Sequence, residues 1–113
     1  MLGVDVVDIE RMRAALARSP SLEGRLFSPA ESAYCRSARD PVESFAGTMA
    51  AKEAIIKALR LGTLAGWAAR IEIERDSDGV PRAWVQLDSG RRAVEVSIAH
   101  DGGVAIAIAL DRP

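Results

Sequence analysis

Asp5, Glu53 and Lys57 are the charged residues of this sequence whose positions are hardest to explain by solvation alone. Asp5 lies in a short run that alternates aliphatic side chains with others, and this period of two predicts a β-strand with Asp5 on the face of Gly3 and Val7. Glu53 and Lys57 are four residues apart and therefore share one face of a predicted helix. Two carboxylates without a softer ligand suit Mg²⁺, which keeps several waters and commonly adds phosphate oxygens. Lys57, one helical turn along, would face the same phosphates as a point charge.

The helix that carries Glu53 and Lys57 is predicted to run from about Pro41 to Leu61 and to stop at Gly62, a left-handed C-cap. Its apolar residues cover almost every side, which is typical of a helix at the centre of a fold, where an unpaired charge is costly. An ordinary helix-surface ion pair between Glu53 and Lys57 needs no function and is worth about 0.3–0.5 kcal/mol. At this level the ion pair and the metal site both remain open.

The elements that must position these residues follow from capping residues and periodicity. Asp8 caps a predicted helix from Ile9 to about Arg18, and residues 28–31 have the order of a capping box with a first-turn proline. After residue 70 the apolar period changes to two, which predicts strands around residues 71–73, 83–87, 94–98 and 104–110. Helices early and strands late predict an α+β fold with an N-terminal strand, one long central helix and a C-terminal antiparallel sheet. The last strand is apolar throughout and is expected to be covered on both faces.

Composition argues for one folded domain over residues 1–113 and removes several classes of function. Fifteen Lys and Arg against sixteen Asp and Glu leave a formal charge of -1, which gives no reason to expect nucleic acid or an anionic membrane as a partner. Cys35 is the single cysteine and His100 the single histidine, so an internal disulfide is excluded and a Cys/His zinc site within one chain is disfavoured. Without a signal peptide or a long apolar run, we expect a cytoplasmic protein.

Three segments resemble the motifs of the holo-acyl-carrier-protein synthases, the short bacterial group of 4'-phosphopantetheinyl transferases. Residues 3–11, GVDVVDIER, resemble the opening motif of that family. Residues 50–59, AAKEAIIKAL, resemble its central signature A-A-K-E-A-x-x-K-A-L, and residues 96–100, VSIAH, resemble its V-S-I-S-H strand end. The three motifs occur in family order and spacing, and the likeness covers nearly the whole chain.

The resemblance implies transfer of the phosphopantetheine arm of coenzyme A to a serine of an acyl carrier protein, with release of adenosine 3',5'-bisphosphate. Asp5 and Glu53 match the family's Mg²⁺ ligands, and the ion would bind the pyrophosphate of coenzyme A. Lys57 matches a lysine at the phosphates that stabilises or protonates the leaving group. The serine proton would go to Glu53 or to a metal-bound water, and the sequence does not choose between them.

The resemblance also assigns residues to the two substrates. His100 matches a family histidine that contacts the nucleotide part of coenzyme A. Lys57, Gly62 and Ser97 are further residues that are expected to bind coenzyme A. Arg11 matches a basic residue that the family uses to dock the acidic carrier protein, and Arg25 is a weaker candidate for the same role. A solvated arginine is the alternative at both positions and is favoured over docking at Arg25. The family is a homotrimer with active sites at subunit interfaces, so His100 would serve a site whose metal ligands come from a neighbouring chain.

The sequence departs from the family at several positions near the expected phosphate site. Thr48 and Met49 stand where Arg-Phe is usual, so one expected cation is missing, and Arg60 is a candidate to restore it. Arg60-Leu61-Gly62 replaces the usual Gly-Thr-Gly. These departures support one alternative to an active transferase, a non-catalytic relative that binds carrier protein or coenzyme A. A second alternative, a metal-dependent phosphohydrolase that needs no acceptor, is supported only by the carboxylates. A hydrolase triad of Ser97, His100 and Asp101 is disfavoured because triads assemble from distant segments.

Overall fold

The chain folds as an α+β structure, as the sequence predicts, with its helices on one face of a five-stranded antiparallel sheet. A computed structural model describes residues 1–112. The helices are α1 (Ile9–Arg18), α2 (Leu22–Leu26), α3 (Pro29–Ser37), α4 (Pro41–Leu59) and α5 (Leu64–Trp67), followed by a 3-10 turn at Ala68–Arg70. The strands are β1 (Leu2–Asp8), β2 (Ile71–Arg75), β3 (Pro81–Leu87), β4 (Gly90–Asp101) and β5 (Val104–Leu110). Among the described helices, none combines the length and the apolar composition that a membrane crossing requires.

Strand β1 forms one edge of the sheet, which has the order β1-β5-β4-β3-β2, so the N-terminal strand pairs with the C-terminal one. In this register Asp5 lies opposite Ala107, which lies opposite Ile98 of β4. Helix α4 packs across β1, β5 and β4. Gly3 permits the close approach of β1 to α4, because an added Cβ would lie 2.8 Å from the backbone nitrogen of Ala58. Asp5 is thereby held against the central helix.

The predicted helix starts are confirmed, and each uses its capping side chain. The Asp8 carboxylate accepts a hydrogen bond from the backbone N–H of Arg11 at 2.9 Å. Ser28 and Glu31 form a complete capping box: the Ser28 hydroxyl accepts from the Glu31 N–H, and the Glu31 carboxylate accepts from the Ser28 N–H. Asp40 caps α4 in the same way. These side chains satisfy N–H groups that have no partner within the helix.

The predicted end of the central helix is wrong by two residues. Helix α4 ends at Leu59, and the residue in the left-handed conformation directly after it is Arg60, with φ of 55°. The N–H of Leu61 donates to the carbonyl of Ile56 at 3.0 Å, and the N–H of Arg60 donates to the carbonyl of Lys57 at 3.4 Å. This pair of bonds is a Schellman motif, which terminates the helix before Gly62 is reached.

Helix α4 is buried on most of its surface, and it carries Lys52 into the core. The Lys52 ammonium donates to the carbonyls of Leu26 and Ala68 at 2.8 Å each and pairs with the Glu31 carboxylate at 2.8 Å. Glu31 also accepts from the backbone N–H of Ile73 at 2.7 Å. Both charges are therefore buried with their hydrogen-bonding groups satisfied, which is the condition for tolerating an ion pair in the interior.

The last strand is covered on one face only, so the expectation of two covered faces is wrong within the single chain. Ala105, Ala107 and Ala109 of β5 are buried, because α4 lies on that side of the sheet. The opposite row is open, and Ile108 in it is 47% exposed. The aliphatic row of β1 continues this surface, here called the outer aliphatic face: Leu2, Val4, Val6, Val104, Ile106, Ile108 and Leu110. Strand β1 thus turns its Asp5 row toward α4 and its aliphatic row outward.

Candidate active site

Asp5 and Lys57 are in direct contact. The Lys57 ammonium donates to Asp5 Oδ1 at 2.9 Å and to the backbone carbonyl of Val4 at 3.1 Å. The Asp5 side chain is 17% exposed and that of Lys57 is 53% exposed. Within residues 1–112, Lys57 makes its ion pair with Asp5 and not with Glu53. The simple i,i+4 surface pair considered from the sequence is therefore not the arrangement that forms.

Glu53 lies close enough to Asp5 for the two charges to interact. Partial burial raises the pKa of the Glu53 carboxyl above its ordinary value, and the negative charge of Asp5 raises it further, while Lys57 acts in the opposite direction. Both carboxylates line one cavity of about 600 Å³ beside β1 and α4. The structure thus brings together the acid near the N-terminus and the acid in the central helix.

This pair of carboxylates fits a hard divalent cation. Burial and, to a smaller extent, repulsion by Asp5 raise the pKa of the Glu53 carboxyl, and a bound cation relieves such repulsion between two carboxylates. Carboxylate oxygens are donors that Mg²⁺ prefers. Over the described range there is no group of three or more His, Cys, Asp or Glu suited to holding a metal. An ion held here would draw its remaining ligands from water and substrate, which matches the coordination habit of Mg²⁺.

Arginines from two helices line the same cavity. Arg11 is on α1 and Arg25 is on α2, and both face the space that Asp5 and Glu53 share. Arg18 lines it as well and was missed by the sequence reasoning. The signal was present, because residues seven apart on a helix lie on the same side, which places Arg18 beside Arg11. The cavity therefore combines acidic residues with a basic wall.

His100 is in a different part of the molecule from these acids. Its Nε2 lies 3.1 Å from Glu43 Oε1 near the start of α4, and it lines a second cavity of about 270 Å³. This second cavity shares no lining residue with the first. The structure therefore does not bring His100 to the Asp5–Glu53 pair within one chain.

Ser97 and Gly62 also lie apart from the two acids. Ser97 of β4 is exposed opposite Ile108, in the outer row of side chains, whereas His100 is three residues further on and points to the other face of the sheet. The Ser97–His100 part of a hydrolase triad is therefore not formed. Gly62 has a φ of 137° in the connection between α4 and α5, against the Trp67 indole. Neither residue lines either cavity.

Comparisons with known proteins agree with this geometry over nearly the whole chain. The model of the 4'-phosphopantetheinyl transferase superfamily matches residues 1–109. A holo-[acyl-carrier-protein] synthase of Chlorobaculum tepidum is 41% identical, over 99% of this chain and 97% of its own, and one of Salinispora arenicola is 44% identical, over 95% and 93%. A crystal structure of the Helicobacter pylori holo-[acyl-carrier-protein] synthase in complex with coenzyme A superposes with a TM-score of 0.84 at 29% identity, covering 97% of this chain and 98% of that one.

Proposed function

The chain belongs to the 4'-phosphopantetheinyl transferase superfamily, and we propose for it the reaction of the holo-acyl-carrier-protein synthases. It transfers the 4'-phosphopantetheine group of coenzyme A to a serine hydroxyl of an apo acyl carrier protein and releases adenosine 3',5'-bisphosphate. The observation that carries this conclusion is full-length similarity to synthases at about 40% identity. The shared cavity of Asp5 and Glu53 also supports it, because two carboxylates in one cavity can hold the divalent cation that assists such a transfer.

We propose that Asp5 and Glu53 hold Mg²⁺. When bound, the ion supplies Lewis-acid stabilisation of the negative charge that develops on the diphosphate. The contribution of the chain is to keep the two carboxylates in one cavity, through the packing of β1 on α4 at Gly3. The two acids are 48 positions apart, so their meeting depends on tertiary structure alone.

Lys57 is proposed to bind the diphosphate and assist the leaving group. Its ammonium has three N–H donors, of which two are used by Asp5 and the Val4 carbonyl. The third donor is available to a phosphate oxygen at the exposed side of the group. Glu53 is the proposed acceptor of the serine proton, because its carboxylate lines the cavity and forms no ion pair within residues 1–112.

We propose a homotrimer in which His100 of one chain serves the Asp5–Glu53 cavity of a neighbour. Two observations support the proposal. The outer aliphatic face leaves Leu2, Val4 and Ile108 open to solvent in the single chain, and such a surface is usual for an interface. His100 lines a cavity separate from that of the two acids, and in the proposed arrangement a neighbouring chain brings it to them. The assignment of Ser97 and Gly62 to coenzyme A belongs to the same proposal.

The carrier protein is proposed to dock on Arg11 and Arg25, beside the two acids. Their position on the wall of the same cavity would put the carrier's serine next to the reacting phosphate. Opposite charge on an acidic carrier would mainly raise the association rate. We expect the reaction in the cytoplasm, where coenzyme A and unmodified carrier protein are available.

The direct test is incubation of the purified protein with apo acyl carrier protein, coenzyme A and Mg²⁺, followed by intact-protein mass spectrometry. The expected result is a carrier that has gained one phosphopantetheine group. Absence of any gain across several carriers, together with retained coenzyme A binding, would identify a non-catalytic binding relative instead. Phosphate release in a reaction without carrier protein would identify a phosphohydrolase. Glu53→Ala serves as the negative control.

A further inference from the structure

Arg75, at the end of β2, lines the second cavity and lies against the side of α4 at Thr48. Its Nη2 donates to Thr48 Oγ1 at 3.2 Å, and its guanidinium carbon lies 4.8 Å from the centre of the Tyr34 ring. Its Nε is buried and has no hydrogen-bond partner within residues 1–112. A buried donor without an acceptor is uncommon and calls for a ligand or another explanation.

The positive charge of Arg75 is not neutralised by the acids of this cavity. In the described part of the chain, no carboxylate forms an ion pair with it. Glu43 is paired with His100, and Asp40 caps α4 and pairs with Arg13. The remaining charged group on the wall is Arg39, another cation. The cavity thus combines a positive group, an orphaned donor and an open volume.

Arg75 also stands where the sequence has lost a cation. Thr48 replaces the arginine usual in the resembled signature, and the Arg75 guanidinium is bound to the Thr48 hydroxyl. That hydroxyl donates in turn to the Ser44 carbonyl at 2.9 Å, which orients its lone pairs toward Arg75. Arg60 cannot fill this role, because twelve residues of helical rise separate it from Thr48 by about 18 Å.

We propose that Arg75 binds a phosphate group of coenzyme A in this second cavity, an inference that rests on the proposed function. A guanidinium presents paired donors that match phosphate oxygens, and stacking on Tyr34 holds its plane in place. A cavity of about 270 Å³ takes a fragment such as a phosphorylated ribose and not the whole coenzyme. Two phosphate sources exist in coenzyme A, the 3'-phosphate monoester and the diphosphate.

The test is isothermal titration calorimetry of coenzyme A and of dephospho-coenzyme A, which lacks the 3'-phosphate, with four proteins. They are the parent protein, Arg75→Gln, Arg75→Lys and Arg82→Gln. The last is a matched control, because it removes the same charge from an exposed position on the neighbouring strand β3. Thermal unfolding of each variant checks the fold. If Arg75→Gln does not fold, Arg75→Lys still tests the assignment, because it keeps the positive charge but loses the paired donors of the guanidinium.

We expect Arg75→Gln to weaken coenzyme A binding about tenfold or more, Arg75→Lys to weaken it less, and Arg82→Gln to leave it within twofold. If Arg75→Gln and the parent bind dephospho-coenzyme A equally, the 3'-phosphate is the ligand. If the loss is the same with both compounds, the diphosphate is the ligand.

Two results would overturn the assignment: coenzyme A binding by Arg75→Gln within twofold of the parent, or an equal loss in Arg82→Gln. Failure of the proposed function is measured differently, since the parent protein would then transfer no phosphopantetheine group to an apo acyl carrier protein, whatever its affinity for coenzyme A. The titrations and the transfer assay together therefore separate the two failures.

Discussion

The Lys57 ammonium and Asp5 Oδ1 are 2.9 Å apart although 52 positions separate the residues in the sequence. Their contact joins the edge strand β1 to the last turn of α4 and leaves Glu53 as the neighbouring acid without an ion-pair partner in residues 1–112. A single lysine is thus shared electrostatically between two carboxylates, so the Asp5–Glu53 pair keeps one negative charge that Lys57 does not balance. This excess charge underlies the first two predictions.

Asp5→Ala and Glu53→Ala are each expected to lower the rate of carrier modification by at least about a hundredfold, because each removes one proposed oxygen ligand of the cation. The measurement is the initial rate of phosphopantetheine gain by mass spectrometry, with circular dichroism to verify the fold. Arg82→Gln, prepared and assayed in the same way, serves as the control, because Arg82 is exposed and lies outside the cavity of the two acids. Turnover near the parent rate in either alanine variant would remove that residue from the site.

Glu53→Gln is expected to stabilise the metal-free protein, since it removes a partly buried charge that Asp5 repels. After allowance for solvent screening the gain is on the order of 0.5 kcal/mol, or roughly 2–3 °C in Tm. Addition of Mg²⁺ should raise the Tm of the parent and leave that of the variant unchanged. Differential scanning fluorimetry with and without Mg²⁺ measures both effects, and an equal Mg²⁺ response in the two proteins would contradict the ligand assignment.

Glu72 is expected to make the free energy of unfolding depend on pH. Burial raises the pKa of its carboxyl, and the hydrogen bond donated by Ser28 Oγ only partly offsets this. Glu72 therefore keeps its proton to a higher pH in the folded protein than in the unfolded chain. As pH rises from the unfolded pKa of Glu72 to its folded pKa, the free energy of unfolding falls. Glu72→Gln should be more stable than the parent at pH 7 and equal to it below the unfolded pKa of about 4.

Urea unfolding at the two pH values measures this difference, with Glu74→Gln as the control, because Glu74 is an exposed acid on the same strand. A Glu72→Gln advantage that is unchanged at low pH would show that the effect does not come from ionisation.

Arg60→Gly is expected to stabilise the protein by about 0.5–1 kcal/mol. Arg60 occupies the left-handed region, where a side chain costs about 1–2 kcal/mol, and glycine avoids that cost while losing part of the gain to chain entropy. Thermal unfolding should show a rise of a few degrees in Tm. Arg60→Ala removes the same charge but keeps a Cβ, so it should give no comparable rise.

Ile108→Glu is expected to break the proposed trimer, because it puts a charge in the middle of the outer aliphatic face. Size-exclusion chromatography with light scattering should give a trimer mass for the parent and a monomer mass for the variant. Arg82→Gln should keep the parent mass. A parent protein that elutes as a monomer at all concentrations would rule out the trimer.

The positions of helices and strands along the chain could be predicted from the sequence better than their contacts in the folded structure. Capping residues such as Asp8 and Ser28 act over three or four positions, so the starts of α1 and α3 could be located from local chemistry. The pairing of β1 with β5 is a contact between distant segments, and no local pattern encodes it. The partner of Lys52 could not be found for the same reason, because Glu31 lies 21 positions away in another helix.

The site was predicted in part. The residue types raised the convergence of Asp5 and Glu53 as one of two alternatives, and the resemblance favoured it. Both residues line one cavity, and their role as metal ligands stays a prediction. Arg75 was overlooked, because on a strand of alternating charges it reads as an ordinary solvated residue. Its contact with Thr48 appears only when β2 is packed beside α4. The end of α4 was misplaced since a glycine was expected at the left-handed position, and Arg60 adopts it instead.

The antiparallel pairing of Leu2 with Leu110 has a consequence for biosynthesis. Strand β1 is translated before the other elements described here, but its one neighbour in the described sheet is β5, which is translated last among them. Asp5 can therefore gain its strand partner Ala107 only after almost all other residues of the described chain have been synthesised. A nascent chain would carry an unpaired aliphatic segment until that moment, which makes this segment a natural target for chaperones.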